Sequence, residues 1–108
     1  MKIDHIPDQD DLKEVFERIK PYIHRTPVLT SSTFNKWTNN RLFFKCENFQ
    51  KMGAFKMRGA CNAVFSMSET DCRLGVATHS SGNFAQALAL AARYKNIPAY
   101  IVMPSNAP

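Results

Sequence analysis

Apolar and polar positions along the chain recur with the periods of both helices and strands. Near the start, four apolar residues fall on one side of a helix: Leu12, Val15, Phe16 and Ile19. Asp8 stands where an N-cap is expected, and Pro21 is placed to end the helix, so the spacing predicts a helix over residues 8–19.

The middle of the chain carries shorter patterns. These predict an extended segment at 26–30, a short helix through Trp37 capped by the hydroxyl cluster at 31–33, a strand at 42–47, a loop at 48–55 and a helix at 57–67. In the last of these, Ala60, Val64 and Met67 form an apolar stripe, and Gly59 would permit close packing.

The C-terminal part shows a strand, a helix and a strand in succession. After a polar connection at 69–73, a buried strand at 75–78 precedes an alanine-rich helix at 83–94 and a second buried strand at 99–103. This order is typical of a βαβ unit, and it predicts an α/β fold with a parallel sheet. Ligands in such sheets bind at the carboxyl ends of the strands, near helix N-termini.

Composition narrows the class of protein. The chain has 108 residues, of which 44% are hydrophobic and 21% charged, as expected for at most one globular domain. No apolar run approaches the roughly 20 residues of a membrane span, and no signal peptide is visible. Three scattered cysteines fit neither a disulfide framework nor a metal site with His5, His24 or His79. We therefore expect reduced thiols, no metal, no membrane partner and a cytoplasmic location.

The net charge of +5 is concentrated in one stretch. Residues 21–60 contain seven basic residues and one acidic residue. A solvated basic face, an anion site and a nucleic-acid-binding module all fit such a stretch. The last of these lacks support, because the basic residues accompany neither an RNA-stacking aromatic motif nor a recognition-helix pattern.

Two loops carry reactive side chains in a suitable local setting. Lys56 is expected at the start of a helix, where the helix dipole and Arg58 favour a neutral amine, the form that attacks carbonyl carbons. A surface lysine on a basic loop is the commoner interpretation of the same residues. The turn at 78–83, between a strand and a helix N-terminus, suits a carboxylate or phosphate, or is an ordinary capped turn.

Three ordered motifs resemble one family. Residues 43–59, FFKCENFQKMGAFKMRG, resemble the cofactor-lysine segment of serine racemases and threonine dehydratases. Residues 79–83, HSSGN, with 97–104, resemble the substrate-carboxylate loop and next strand of these enzymes, and residues 24–32 resemble their N-terminal segment. The resemblance implies the tryptophan-synthase β-like fold of type II pyridoxal-phosphate enzymes, a parallel sheet with flanking helices, here truncated.

The resemblance also implies a role for each matching residue. Lys56 would bind pyridoxal 5'-phosphate and act as acid and base, with Ser81 as the base on the opposite face. Asn83 and Phe55 would contact the cofactor ring. The substrate carboxylate would lie on Ser80, Ser81, Gly82 and Asn83. The implied reaction is racemisation, β-elimination or both, on L-serine or L-threonine, through an external aldimine.

A nucleotide effector site is implied less directly, because related dehydratases lack it. Its residues would be Ser31, Ser32, Thr33, Lys51 and Gln86, with ATP and Mg²⁺ as effectors of a homodimeric full-length enzyme. Two positions depart from the family pattern: Phe84 replaces the usual histidine, and Met52 replaces a small or polar residue. Both departures bear on substrate preference and effector binding.

The implied full-length enzyme is longer than this chain. Family members run to roughly three hundred residues in two domains, so we expect an N-terminal third. Residues 1–68 would begin the large domain, 69–74 connect, and 75–108 open the small domain. The alternative is a truncated, non-catalytic remnant that associates with a full-length homologue.

Overall fold

The computed structural model describes residues 6–107 of the chain; His5 and the outermost positions of the domain ranges 1–68 and 75–108 lie outside it. Helix α1 spans Gln9–Ile19, which confirms the first predicted helix. Asp8 caps it by accepting from the main-chain N–H of Asp10 and Asp11, and the Asp11 carboxylate accepts from Asp8 N at 2.7 Å in return.

A small antiparallel ribbon follows. Strand β1 (Val28–Leu29) pairs with β2 (Phe44–Lys45), and helix α2 (Ser32–Thr38) connects them. The predicted strand at 42–47 is therefore too long. Leu42 N donates to the Asn35 side chain at 2.8 Å, and the chain turns into a 3₁₀ helix at Glu47–Phe49, so only the middle of the segment pairs.

Helix α3 spans Lys56–Ser66, one residue earlier at each end than predicted. Met67 is extended beyond its end, so the apolar stripe ends at Val64. The close packing expected at Gly59 is wrong, because a Cβ there would meet no atom within 4 Å. The predicted polar connection contains a one-turn helix, α4 (Glu69–Cys72), which is too short to show an apolar period and is capped by the Ser68 hydroxyl.

The βαβ unit is confirmed. Strand β3 (Val76–His79), helix α5 (Asn83–Lys95) and strand β4 (Ala99–Val102) follow one another, and β3 pairs with β4 in parallel, with Val76 opposite Ala99. Gly75 (φ +87°) makes this pairing possible, since a Cβ there would lie 2.4 Å from the Pro98 carbonyl oxygen.

Three helices share one hydrophobic core. It consists of residues from α1, α3 and α5: Ile19, Met57, Ala60, Cys61, Val64, Ala87, Leu88 and Ala91. On the sheet, the face carrying Ala77, His79, Tyr100 and Val102 is exposed. The fold is a small α/β arrangement with a parallel strand pair and flanking helices. Within the described residues, no helix is both long and apolar enough to cross a membrane.

Candidate active site

Lys56 is the first residue of α3, as the sequence predicted. Its side chain is exposed, and its Nζ lies 4.9 Å from the ring centre of Phe55, the residue before it. Within residues 6–107, no carboxylate forms an ion pair with this ammonium group. The amine is therefore accessible to an aldehyde and is not held by an acidic partner.

The loop that leads to Lys56 contains two consecutive left-handed residues. Met52 has φ +55° and Gly53 has φ +75°. Glycine adopts this conformation at little cost, whereas a side chain is disfavoured there by about 1–2 kcal/mol. Gln50 fixes the loop by accepting from Gly53 N on its carbonyl at 2.8 Å and from Lys51 N on its side chain at 3.0 Å. Met52, which was expected to depart from the family pattern, is thus a residue in a disfavoured conformation four positions before Lys56.

Glu47 is the centre of a hydrogen-bond network below this loop. Its carboxylate accepts from Arg58 at 2.8 Å (Nε) and 2.7 Å (Nη2), and from the Thr26 hydroxyl at 2.6 Å. The Arg58 guanidinium, helped by Thr26, lowers the pKa of Glu47 from 4.5 to about 2, against an opposing effect of burial. The hydrogen bonds to Glu47, with its charge, raise the pKa of Arg58 against an opposing effect of burial. Glu47 therefore offsets the like charge that Arg58 was expected to place near Lys56.

The second loop lies at the carboxyl edge of the parallel strands. Ser80 N donates to Val102 O at 3.1 Å, which extends the strand pairing by one hydrogen bond. Gly82 occupies the N-cap of α5, no side chain caps that helix, and a Cβ on Gly82 would meet nothing within 4 Å. The first turn of α5 thus presents main-chain N–H groups without a side-chain acceptor, a setting that suits a carboxylate.

The predicted substrate residues lie together in this loop. Ser81, Gly82 and Asn83 are exposed and Ser80 is half-buried, with its hydroxyl 3.4 Å from Gly82 N. Lys56 and this loop stand at the starts of α3 and α5, the two helices whose buried faces form most of the core. Lys56 and the loop at 80–83 therefore belong to two helices that pack in the same core.

The predicted nucleotide residues are more dispersed. Ser31 caps α2, with its hydroxyl accepting from Phe34 N at 3.4 Å, and Ser32 and Thr33 follow in the first turn. The Lys51 ammonium lies 4.9 Å from the ring centre of Tyr94, near the end of α5. Gln86 lies in the first turns of α5, about 12 Å from Tyr94 by helical rise. The grouping of these residues into one site stays a prediction.

Sequence reasoning missed the residues beneath the lysine. Thr26 and Gln50 are 4% and 3% exposed, and both bind Glu47. One signal pointed to the network: Glu47 is the single acidic residue among the seven basic residues of 21–60. A lone carboxylate in a basic stretch is a natural partner for one of its arginines.

Comparison with known proteins identifies the class of enzyme. Residues 19–108 match the model of the pyridoxal-phosphate dependent enzyme family. The chain is 62% identical over 97 residues to serine racemase of Arabidopsis thaliana, covering 90% of this chain and 29% of that protein. It is 54% identical over 104 residues to β-hydroxyaspartate dehydratase of Paracoccus denitrificans, covering 96% of the chain and 33% of that protein.

A solved structure gives the same answer for the fold. Maize serine racemase superposes with a TM-score of 0.91 at 52% identity, covering 96% of this chain and 32% of that one. This chain thus spans about a third of the length of the relatives it matches. Relatives of this kind include both racemases and dehydratases, and their fold is that of the type II enzymes expected from the motifs. The chain belongs to the pyridoxal-phosphate dependent enzyme family.

Proposed function

We propose that this chain supplies the lysine segment and the substrate-carboxylate loop of an enzyme that racemises or dehydrates serine or threonine. The observation that carries the proposal is the pair of segments just described. An exposed amine that pairs with no carboxylate among residues 6–107 begins α3, and main-chain N–H groups without a side-chain cap begin α5. The Lys56 amine would bind the electrophile, the N–H groups of α5 would bind the anion, and both belong to helices of one core.

The residues present fit the cofactor of the family. The exposed primary amine of Lys56 suits the cofactor aldehyde, and an exposed asparagine at 83 suits its ring hydroxyl. Phe55, 58% exposed beside Lys56, offers an aromatic edge to the ring. When bound, pyridoxal phosphate supplies a conjugated ring that stabilises negative charge on the substrate α-carbon.

The residues of this chain hold the substrate and move its proton. Ser80, Ser81, Gly82 and Asn83 bind the carboxylate with the first N–H groups of α5, which fixes the orientation of the α-carbon. The Lys56 amine removes the α-proton from one face. The Ser81 hydroxyl delivers a proton to the other face, which inverts the centre. Loss of a β-hydroxyl needs only the Lys56 side.

A chimaera tests these roles. We would replace the matching 29% of the Arabidopsis thaliana racemase with this chain and assay L-serine for D-serine and for pyruvate. Lys56→Ala is expected to abolish both products. Ser81→Ala is expected to lower racemisation by about 10²-fold or more, and to spare elimination.

The controls are matched residues outside the proposed site. Lys36→Ala, in α2, and Ser66→Ala, at the end of α3, should keep both activities. Equal loss of D-serine and pyruvate in Ser81→Ala would contradict its separate role. Full activity in Lys56→Ala would contradict the proposed function as a whole.

The effector site is a separate part of the proposal. ATP with Mg²⁺ would bind through Ser31, Ser32, Thr33, Lys51 and Gln86, and Lys51 would leave Tyr94 to reach a phosphate. In the chimaera, ATP should raise the rate, and Lys51→Ala should remove that response without removing basal activity. An unchanged response in Lys51→Ala would exclude Lys51 from the site.

A second role, association without catalysis, is favoured by the open face of the strand pair. Parallel sheets are normally covered on both faces, yet Tyr100 and Val102 are 58% and 63% exposed. A remnant of this kind would co-elute with a full-length homologue and lack activity. Catalysis by the chimaera and a monomeric chain in size-exclusion chromatography would argue against it.

A further inference from the structure

The first turn of α3 lacks the usual means of fixing a helix start. Helices α1, α2 and α4 are capped by the side chains of Asp8, Ser31 and Ser68. In α3 the N-cap is Phe55, which provides no side-chain hydrogen bond. A helix start without a cap frays unless another contact holds it.

Two contacts hold this start: Met57 is fully buried in the core, and the side chain of Arg58, also in the first turn of α3, binds Glu47. The Arg58 guanidinium binds both carboxylate oxygens of Glu47, at 2.8 and 2.7 Å. Such a two-pronged pair defines orientation as well as distance, because both groups are planar. The pair is half-buried, with the Arg58 and Glu47 side chains 29% and 18% exposed.

Glu47 is itself held by buried neighbours. The Thr26 hydroxyl donates to it at 2.6 Å, and Gln50 N–H lies at 3.5 Å. The Gln50 amide also binds both the main-chain N and O of His24, at 2.8 and 2.9 Å. Moving the carboxylate would leave the buried Thr26 hydroxyl without this acceptor, while Gln50 would keep its bonds to His24.

We propose that Glu47 is a positioning residue for Lys56, acting through Arg58. Lys56 lies two residues before Arg58 in the same turn, so a rotation or fraying of that turn moves the Lys56 amine. The proposal rests on the proposed function, in which Lys56 reacts. Displacements of about 1 Å near reacting atoms reduce rates by about 10²-fold.

The test measures the NMR chemical shift of the methylated Lys56 amine. Lysines are reductively methylated with ¹³C-formaldehyde, and the Lys56 signal is assigned by its loss in Lys56→Arg. In the unaltered chain, the Phe55 ring, whose centre lies 4.9 Å from Nζ, should shield the added methyl groups. In Glu47→Gln the Lys56 signal should move downfield toward that of exposed Lys36, while the Lys36 signal stays in place.

A second readout is borohydride trapping of pyridoxal phosphate, mapped by peptide mass. Trapping at Lys56 should fall by about tenfold in Glu47→Gln, relative to Lys36. Arg58→Lys keeps the charge and loses the two-pronged contact, so it should give the same two changes. It serves as the folded variant if Glu47→Gln does not fold.

The outcomes separate this proposal from the proposed function. A lower melting temperature with an unmoved Lys56 signal and unchanged trapping would overturn the positioning role, because Glu47 would then be structural only. A moved signal in a chain that never traps the cofactor at Lys56 would support positioning and contradict the proposed function.

Discussion

Lys95 on α5 donates from its ammonium group to the Val64 carbonyl near the end of α3, with Nζ and O 2.9 Å apart. The same ammonium binds the Met67 carbonyl at 2.8 Å. Carbonyl groups in the last turn of a helix lack partners within the helix, and a cation there satisfies them and favours the helix dipole. One side chain of α5 therefore caps α3.

Replacing this lysine should destabilise the chain. We expect Lys95→Met, which keeps most of the apolar stem, to lower the free energy of unfolding by about 1–2 kcal/mol, because two charge-assisted hydrogen bonds are lost. Urea unfolding followed by circular dichroism measures this. Lys36→Met, at an exposed lysine of α2, should change it by less than about 0.5 kcal/mol. Equal effects in the two variants would contradict the capping role.

Stability should depend on pH through Glu47. Its pKa is about 2 in the folded chain and near 4.5 when unfolded, so the unfolded chain binds the proton more tightly. The contribution is complete above about pH 4.5 and is lost as the pH falls from there to about 2. We expect it to be about 2–3 kcal/mol.

The Glu47→Gln variant should lack this part of the pH dependence. Unfolding curves at intervals between pH 6 and 2 compare it with the unaltered chain. Glu14→Gln removes an exposed carboxylate paired with Arg18 and should alter stability by at most about 0.5 kcal/mol. Parallel pH profiles for Glu47→Gln and the unaltered chain would show that another group carries the effect.

Gly75 and Gly59 should respond in opposite directions to alanine. Gly75→Ala places a Cβ 2.4 Å from the Pro98 carbonyl oxygen at φ +87°, so we expect a loss of about 2–4 kcal/mol. Gly59→Ala lies in α3 with open space around it, and should gain about 0.5–1 kcal/mol from helix propensity. Thermal unfolding of both variants tests whether Gly75→Ala is destabilised and Gly59→Ala is stabilised.

The Cys61 thiol should be unreactive in the folded chain. Burial raises its pKa to about 11, and its side chain is fully buried. At pH 8 about a thousandth of it is thiolate. Alkylation with iodoacetamide and peptide mass mapping should therefore label half-buried Cys46 first, and Cys61 only with denaturant. Early labelling of Cys61 would indicate that α3 opens readily.

The regular elements of this fold were predictable because their apolar periods are clear. Asp8 marked the start of α1, and the alanine-rich face of α5 predicted its length closely, since that face is buried against α3. The strand at 42–47 was overestimated because its aromatic residues favour strands locally, whereas Glu47 is drawn into a turn by Arg58 and Thr26.

In the candidate site, the positions of Lys56 and of the loop at 80–83 could be predicted, whereas the hydrogen-bond network around Glu47 could not. Each of the two motifs is a contiguous run of residues, so the sequence alone predicts that Lys56 lies at a helix start and that residues 80–83 form the turn before the next helix. The partners of Glu47 come from segments 21 residues before it and 11 residues after it. No local sequence pattern predicts these hydrogen bonds, because only folding brings the groups within hydrogen-bond distance.

The start of α5 also has a thermodynamic consequence. A helix that begins on glycine leaves its first amides to exchange with water, unlike α1, whose amides are occupied by Asp8. A carboxylate that binds there satisfies these amides, so binding of the anion and ordering of the first turn of α5 are thermodynamically coupled. A bound carboxylate would slow hydrogen exchange at the amides of this turn. The exchange rates of the α1 amides would serve as the internal reference.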